Sequence, residues 1–484
     1  MRLLGAWRWL ALAGLAGALF CGLFLQRPAR AGGPLDVGGG QPPNFGADGV
    51  PFTWRLSPDG GLVSGGEIQY RTDGGSLGVL ANATANTRIQ GMFQVWEDVP
   101  TSNVGFNRAG ALLATGGFAD GDVNTAAEFN AVSGSCRESP APAQNPIVYD
   151  ADGSLFTALG LPSGVIGFAG ACQFASDGVT NRITAASSAL NGKFRDGNAS
   201  NGELSDSAFD GVFIHEFGHL FGLDHSQINV NCLGGGCASF SDDAFGLPTM
   251  FPFLIGALEE SPGVHPSSTL SLDDRAWVSR LYPDASFSGS FGAVSGAILF
   301  SDGQTHFQGA NVIARQVDDP VTPTINESRR NAVSCVSGYL FTINTGQSVT
   351  GTNTAGSQFG SRNPLNYGRY DIPAPAGSYT VEVETINGAF LAGSRVGPIG
   401  DLGFQYPVPA EFFSAPETNS DNPSASVPVL VTNGTTTPGI NVILNGTPPR
   451  FDQFETSHII HLPWNEPPPA WVRRETPASR PVSA

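Results

Sequence analysis

Charged side chains are scarce in this chain of 484 residues, since Asp, Glu, Lys and Arg together make up only 14% of it. Lysine is almost missing, and Lys193 is the only one. Acids outnumber bases, which gives a formal net charge of -18. A surface of this sign repels nucleic acid and anionic membranes, so neither is an expected partner.

A long hydrophobic run occurs only at the N-terminus. Arg2 and Arg8 lie at its start, residues 9–25 are uncharged and mostly apolar, and Ala29-Arg30-Ala31 fits a small-x-small cleavage pattern. This order predicts a signal peptide over residues 1–31 and a secreted, extracellular protein that is either released or retained at the cell surface. The alternative is an uncleaved membrane anchor, because about 20 apolar residues can span a bilayer. After cleavage we expect no membrane partner.

Cysteine is also rare, with six in the chain. Export places those beyond the signal peptide in an oxidising compartment, where they can pair. Cys232 and Cys237 close a short glycine-rich loop, and Cys136 could meet Cys172, which leaves Cys335 as the odd one. The alternative is that some of them stay free and buried.

Glycine (63) and proline (36) are abundant, which favours strands, turns and loops over long helices. The length suits two or three domains, so we expect a multidomain fold. The composition predicts a flexible leader over 32–50, an α+β domain over 51–284, an all-β sandwich over 288–446 and a Pro-rich disordered tail over 447–484. Helical spacing of apolar residues predicts three helices, over 81–99, 207–223 and 272–281.

The most informative stretch is FIHEFGHLFGLDHS, residues 213–226. Residues four apart on a helix share one face, so His215 and His219 can direct two imidazoles at one ion. Glu216 then lies beside the ion without having to bind it, where a general base is needed. The alternative, a coincidence of ordinary histidines, is the weaker interpretation, because the chain has only seven histidines.

A third ligand must come from outside the helix, since the next helical turn would overcrowd the ion. Gly222 accepts a positive φ, so the helix can end there and the chain can turn back toward the ion. His225 is then placed to complete the set. Three neutral imidazoles leave one tetrahedral position for water, which is the arrangement of a catalytic zinc site. We therefore expect Zn²⁺ on His215, His219 and His225, with Glu216 as the catalytic residue.

The spacing H-E-x-x-H-x-x-G-x-x-H resembles the signature of the metzincin zinc metallopeptidases. Ser226 after the third histidine makes the stretch most similar to the matrixins, the matrix metalloproteinase family. Thr249-Met250-Phe251-Pro252 resembles the Met-turn beneath the metal in that clan, with Met250 as its methionine. The resemblance covers residues 205–283. It implies a twisted mixed sheet with an active-site helix, and a secreted endopeptidase.

Residues 270–283 resemble the closing helix of matrixin catalytic domains, with Ser271 as a candidate N-cap and Asp274 three residues on. The chain departs from the family in a longer insert between His225 and Met250, which we expect to reshape the rim of the substrate site. It also has no cysteine-switch motif between residues 32 and 135. Residues 309–312 and 376–381 weakly resemble a carboxypeptidase-regulatory-like β-sandwich, which suits a binding or spacer module.

Calcium is a second candidate cofactor. Two acidic, glycine-containing clusters, Asp120-Gly121-Asp122 and Asp150-Ala151-Asp152-Gly153, offer hard oxygen ligands. Neither completes a known calcium loop, so solvated turns are the favoured interpretation of both.

The expected partner is a protein or peptide substrate, and we expect the protein to be a monomer. Metzincins bind an extended peptide along an edge strand, and residues 164–169 are the candidate by position, although an ordinary internal strand is an equal alternative. Residues 251–265 would then shape the main specificity pocket. A different class of function remains open, namely a surface adhesin or matrix-binding protein that uses the zinc fold as a scaffold.

Overall fold

The computed structural model describes residues 32–38, 47, 49–133, 144–307, 309–338, 368–386 and 410–446. The expected signal peptide, the expected C-terminal tail and Cys136 lie outside these residues. Within the described ranges, no helix is both long and apolar enough to cross a bilayer. The chain has a mixed α/β structure with several sheets, which is consistent with a multidomain α+β protein.

The N-terminal half contains a seven-stranded sheet. In chain order its strands are β1 (Phe52–Trp54), β2 (Val63–Ser64), β3 (Glu67–Thr72), β4 (Phe106–Ala111), β5 (Pro146–Asp150), β6 (Gly167–Ser176) and β7 (Asn181–Asn191). The main order is β1-β7-β5-β3-β2, with β4 beside β3 and β6 beside β7. β2 and β6 run antiparallel to their neighbours, and the other pairs are parallel.

Strand β6 lies at an edge of this sheet, because β7 is its only strand partner in the described part of the chain. It begins at Gly167, inside the predicted segment 164–169. Residues 167–169 of the predicted segment therefore lie on an edge strand, whereas residues 164–166 precede it, and the substrate-binding role stays a prediction.

Among the described residues, three helices of ten or more residues accompany the sheet. They are the first helix (Asn82–Glu97), the histidine helix (Asp206–Phe221) and the closing helix (Leu272–Leu281). All three confirm the predicted segments to within two residues. Shorter α-helices cover Ala126–Val132, Ser154–Ala158, Asp242–Phe245, Phe287–Ser290 and Glu327–Arg330, and 3-10 turns cover Gly192–Arg195, Ala199–Asn201, Val230–Gly234 and Pro266–Ser268.

Aromatic side chains join the first helix to the histidine helix. The ring of Phe93 stacks on that of Phe217, with 3.9 Å between the centroids. The Trp96 indole N–H donates to the carbonyl oxygen of Ile214 at 2.9 Å. The first helix is therefore attached to the histidine helix by an aromatic stack and a hydrogen bond, at residues near His215 and His219 in sequence.

The C-terminal half contains two further sheets. In chain order the strands are β8 (Phe291–Leu299), β9 (Asn311–Gln316), β10 (Ala332–Val336), β11 (Arg369–Pro375), β12 (Gly377–Glu384), β13 (Glu411–Phe412), β14 (Val429–Val431), β15 (Thr436–Thr437) and β16 (Val442–Ile443). One sheet has the order β10-β9-β12-β13 with β14 beside β12, and the other has the order β11-β8-β15 with β16 beside β8. Alternate residues of β12 are buried, as expected for a strand with one face on a core.

The two halves share one hydrophobic core, which continues from the closing helix into β10. The Trp277 indole donates to the Ser334 carbonyl oxygen at 2.8 Å, and the Ser334 N–H donates to the Asp273 carboxylate at 2.7 Å. Arg280 and Asp371 form an ion pair at 2.6 Å near the edge of this contact. The C-terminal sheets are therefore packed onto the closing helix and not tethered at a distance.

Residues 32–38 correct the prediction of a flexible leader over 32–50. Leu35 and Val37 are buried, and the Leu35 N–H donates to the Gly222 carbonyl oxygen at 2.7 Å. The Asp224 N–H donates in turn to Gly33 at 3.0 Å. The prediction failed because the abundant glycine hid two apolar residues that are buried in the fold, next to backbone hydrogen bonds to Gly222 and Asp224.

The insert between His225 and Met250 also differs from expectation, because much of it contacts the C-terminal half. The Asn229 side chain donates to the Arg329 carbonyl oxygen at 2.9 Å, and Arg330 forms an ion pair with Asp242 at 2.5 Å. The Phe240 N–H also donates to Glu259, within the expected pocket segment. The role of the insert at the substrate rim thus stays a prediction. The sequence did not predict that the insert contacts the C-terminal half.

Candidate metal and catalytic site

The histidine helix has clear signals at both ends. The Ser205 hydroxyl accepts a hydrogen bond from the Ala208 N–H at 3.2 Å, which caps the first turn. Gly222 ends the helix with φ of 105°. Because L-residues rarely adopt this conformation, glycine is needed here, as predicted.

Two imidazoles on this helix and one that follows the turn converge on one point. The Nε2 atoms of His215, His219 and His225 are each 3.1 Å from the other two. Ligands bound at 2.0–2.1 Å in a tetrahedral arrangement are about 3.3 Å apart, so this spacing suits one ion with a fourth position open. Within the described residues these three side chains form a group that could hold a metal ion.

Backbone carbonyls determine the tautomers of two of these rings. His215 Nδ1 is 2.7 Å from the Thr249 oxygen, and His219 Nδ1 is 2.8 Å from the Leu223 oxygen. A carbonyl oxygen can only accept, so both Nδ1 atoms carry the proton and both Nε2 atoms present a lone pair. Lone pairs at 3.1 Å repel one another unless a cation lies between them. The observed convergence therefore fits a metal site better than a histidine cluster in the core.

Burial keeps the three rings in the neutral form that binds metals. It lowers the pKa of His215 to about 3, with a further contribution from His219. It lowers the pKa of His219 to about 4 and that of His225 well below its usual value. At neutral pH the three imidazoles can therefore bind a metal ion without first losing a proton.

Glu216 belongs to the histidine helix, and its side chain lies against strand β6. Its side chain is 8% exposed, and burial raises the pKa of its carboxyl to about 8, while a hydrogen bond from the Ala169 amide opposes this rise. A Cβ on Gly167 would lie 3.0 Å from the Glu216 side chain, so glycine lets the strand pass close to this carboxylate. The candidate base therefore borders the edge strand.

Met250 packs against the histidine helix, and its assignment to a Met-turn stays a prediction. It is 2% exposed, and its carbonyl oxygen accepts the Ser226 N–H at 2.8 Å. A Cβ on Gly218 would come within 2.3 Å of the Met250 sulfur. The histidine helix can therefore approach the turn only because Gly218 has no side chain.

Asp274 is a site residue whose full role was not predicted. Ser271 and Asp274 form the expected capping box at the start of the closing helix. The same carboxylate also accepts the backbone N–H groups of Thr249 and Met250, at 2.8 and 3.0 Å. Because the Thr249 carbonyl orients His215, Asp274 acts as a positioning residue for the metal site. Its position just after a predicted N-cap was the only sequence signal.

We expect replacement of Gly218 by alanine to destabilise the protein by about 2 kcal/mol, because the new methyl group overpacks against Met250. Gly91 provides a matched control, since it also lies on a helix but a Cβ there meets nothing within 4 Å. Gly91→Ala should instead stabilise by about 0.5–1 kcal/mol through helix propensity. Urea unfolding of both variants measures the difference, and equal effects would contradict the close approach.

The two acidic clusters predicted as calcium candidates form turns. The Asp150 carboxylate accepts the N–H groups of Gly153 and Phe156, both at 2.9 Å, and the Asp120 carboxylate accepts that of Asp122 at 3.3 Å. Among the described residues neither cluster belongs to a group suited to a metal. The favoured interpretation as solvated turns agrees with the exposure of Asp120, whereas Asp150 itself is buried at the end of β5.

The cysteines follow the predicted pattern where the structure describes them. Cys232 and Cys237 form a disulfide, and Cys335 is free and buried. Cys172 is disulfide-bonded as well, but the predicted pairing with Cys136 involves a residue outside the described ranges.

His265 lies in the segment that follows Met250. It is buried, and its Nε2 is 3.1 Å from the Ile255 carbonyl oxygen, so it fixes the segment that follows Met250.

No model of a known protein family matches the chain, and no curated protein is detectably similar to it in sequence.

Proposed function

We propose that the protein is a secreted zinc metalloendopeptidase with a matrixin-like metzincin catalytic domain. The observation that carries this proposal is the mutual 3.1 Å approach of three histidine Nε2 atoms, with Glu216 adjacent to the first of them. A set of three neutral imidazoles with one open position suits zinc and suits catalysis, whereas structural zinc sites use four protein ligands.

The residues present have clear tasks in peptide hydrolysis. Zinc in such a site supplies Lewis acidity, which polarises a peptide carbonyl and acidifies water. With zinc bound, the nearby positive charge would favour the ionised form of Glu216, so this carboxylate would accept the proton of the attacking water and then deliver it to the leaving amine. Thr249 and Leu223 hold two of the imidazoles through their carbonyls, so the ligand geometry does not depend on the substrate.

Strand β6 provides a binding edge for the substrate. Its residues Gly167 to Gly170 pair with β7 on one side, and Glu216 lies next to Gly167. An extended peptide can add to the other side through backbone hydrogen bonds, which bind the main chain of many sequences. This arrangement supports an endopeptidase that acts within a chain.

The test uses the wild-type protein with its metal content measured. We expect one zinc per chain, cleavage of an unfolded protein substrate, loss of cleavage with 1,10-phenanthroline, and recovery on addition of one equivalent of zinc. A protein that binds one zinc but cleaves no member of a broad peptide library would contradict the proposal and favour the adhesin alternative.

A further inference from the structure

Three carboxylates meet in the C-terminal half, far from the histidines in sequence. Glu411 lies on β13, and Glu417 and Asp421 lie on the connection between β13 and β14. One oxygen from each carboxylate lies within 4.8 Å of one from each of the others. Neither acidic cluster considered from the sequence contains any of these residues.

No basic side chain compensates this charge within the described residues. None of the ion pairs there includes Glu411, Glu417 or Asp421. Three carboxylates so close together cannot all be ionised at low cost unless a cation joins them or they share protons. The charge and the geometry thus leave a place for a positive ion.

Glu411 gives an independent indication of a ligand. Its side chain is 0% exposed, and its Oε2 accepts the Asn445 N–H at 2.7 Å. Its Oε1 is buried as well, yet no described N–H or O–H donates to it. Buried carboxylate oxygens almost always have a partner, so this oxygen needs either an ion or a proton shared with Asp421, whose carboxyl group interacts with that of Glu411.

We propose that Glu411, Glu417 and Asp421 bind a calcium ion. Calcium takes oxygen ligands at 2.3–2.6 Å, so two oxygens on one ion are at most about 4.6–5.2 Å apart, and three oxygens within 4.8 Å of one another can share it. Magnesium needs shorter bonds and near-ideal octahedral geometry, and zinc prefers nitrogen and sulfur ligands. The chemistry of three carboxylates therefore favours calcium.

The ion would stabilise the contact between strand β16 and the β13–β14 connection. Glu417 accepts the Ile443 N–H at 2.8 Å, and Asp421 accepts the Asn445 side-chain amide at 2.8 Å. Residues 411–421 and 443–445 thus already meet around the carboxylates. Neutralising their charge with calcium would hold both segments against the sandwich core.

The test uses the full chain with zinc restored to one equivalent after metal removal, and CaCl₂ as the titrant in calorimetry. Wild type should bind one calcium ion more than Asp421→Asn and Glu417→Gln, or should bind it at least about tenfold more tightly. Asp302→Asn is the matched control, because Asp302 also accepts a backbone N–H in a sandwich turn, at 2.8 Å, but stands outside the cluster. It should bind calcium as wild type does.

Amide hydrogen exchange provides a second readout. Calcium should slow exchange at Ile443 and Asn445 at least about tenfold in wild type and in Asp302→Asn, and not in the two cluster variants. If one cluster variant fails to fold, the other decides. Identical calorimetric curves for wild type and a folded cluster variant would overturn the proposal, and so would exchange that responds to pH but not to calcium, which would indicate shared protons.

Discussion

Replacing Glu216 by glutamine is expected to lower kcat about 10³-fold while leaving one zinc bound per chain. The substitution keeps the shape of a side chain that is 8% exposed but removes the group that accepts a proton. General acid–base catalysis contributes about 10²–10⁴-fold, so the loss should fall in this range. Steady-state cleavage of a quenched peptide, together with metal analysis of the same sample, measures both quantities.

Glu203 offers a control for this substitution. It forms an ion pair with Arg195 at 2.9 Å, outside the metal site. Glu203→Gln should therefore keep nearly full activity and the full metal content. If Glu216→Gln retained wild-type kcat, the assignment of Glu216 as the base would be wrong even with zinc in place.

Ending the chain at residue 284 is expected to lower the stability of the N-terminal half by about 5 kcal/mol, which is comparable to the whole stability of many domains. The C-terminal half covers Trp277, which is 2% exposed, and supplies the Ser334 groups that bond to Trp277 and Asp273. Removing the packing of one such aromatic residue alone costs about 3–5 kcal/mol. Thermal unfolding of chains 32–284 and 32–484 should differ by at least about 10 °C.

Two substitutions in the complete chain test single contacts of the same interface. Trp277→Phe leaves the buried Ser334 carbonyl without its donor and should cost about 1–3 kcal/mol. Arg280→Gln removes an ion pair whose arginine is 40% exposed and should cost less than about 1 kcal/mol. A chain 32–284 that melted at the full-length temperature would show that the halves are independent.

The parts of the fold that the sequence predicted are those that depend on local patterns. Both the histidine helix and the closing helix have a Ser N-cap and apolar residues at helical spacing, and the histidine helix also ends at a glycine. Each was placed within two residues. The metal group followed from the same kind of pattern, because one helix and one turn bring His215, His219 and His225 together. Short-range signals of this kind can be recognised in the sequence without any knowledge of tertiary contacts.

The parts that the sequence did not predict depend on contacts between distant residues. Asp274 reaches Thr249 across 25 residues, and Ser334 reaches Asp273 across 61. Leu35 is buried by the turn at Gly222, which its glycine-rich surroundings gave no reason to expect. The carboxylates of Glu411, Glu417 and Asp421 are separated by too irregular a spacing to suggest a common ligand. In each case, tertiary packing decides.

The continuous core between the two halves also limits how the molecule can move. The short linker helix Phe287–Ser290 follows Ser286, whose hydroxyl donates to the Pro100 carbonyl oxygen at 3.0 Å, so even the junction is attached to the N-terminal half. Hinge opening would have to break this bond and expose Trp277 to water. The two halves should therefore tumble as a single rigid body.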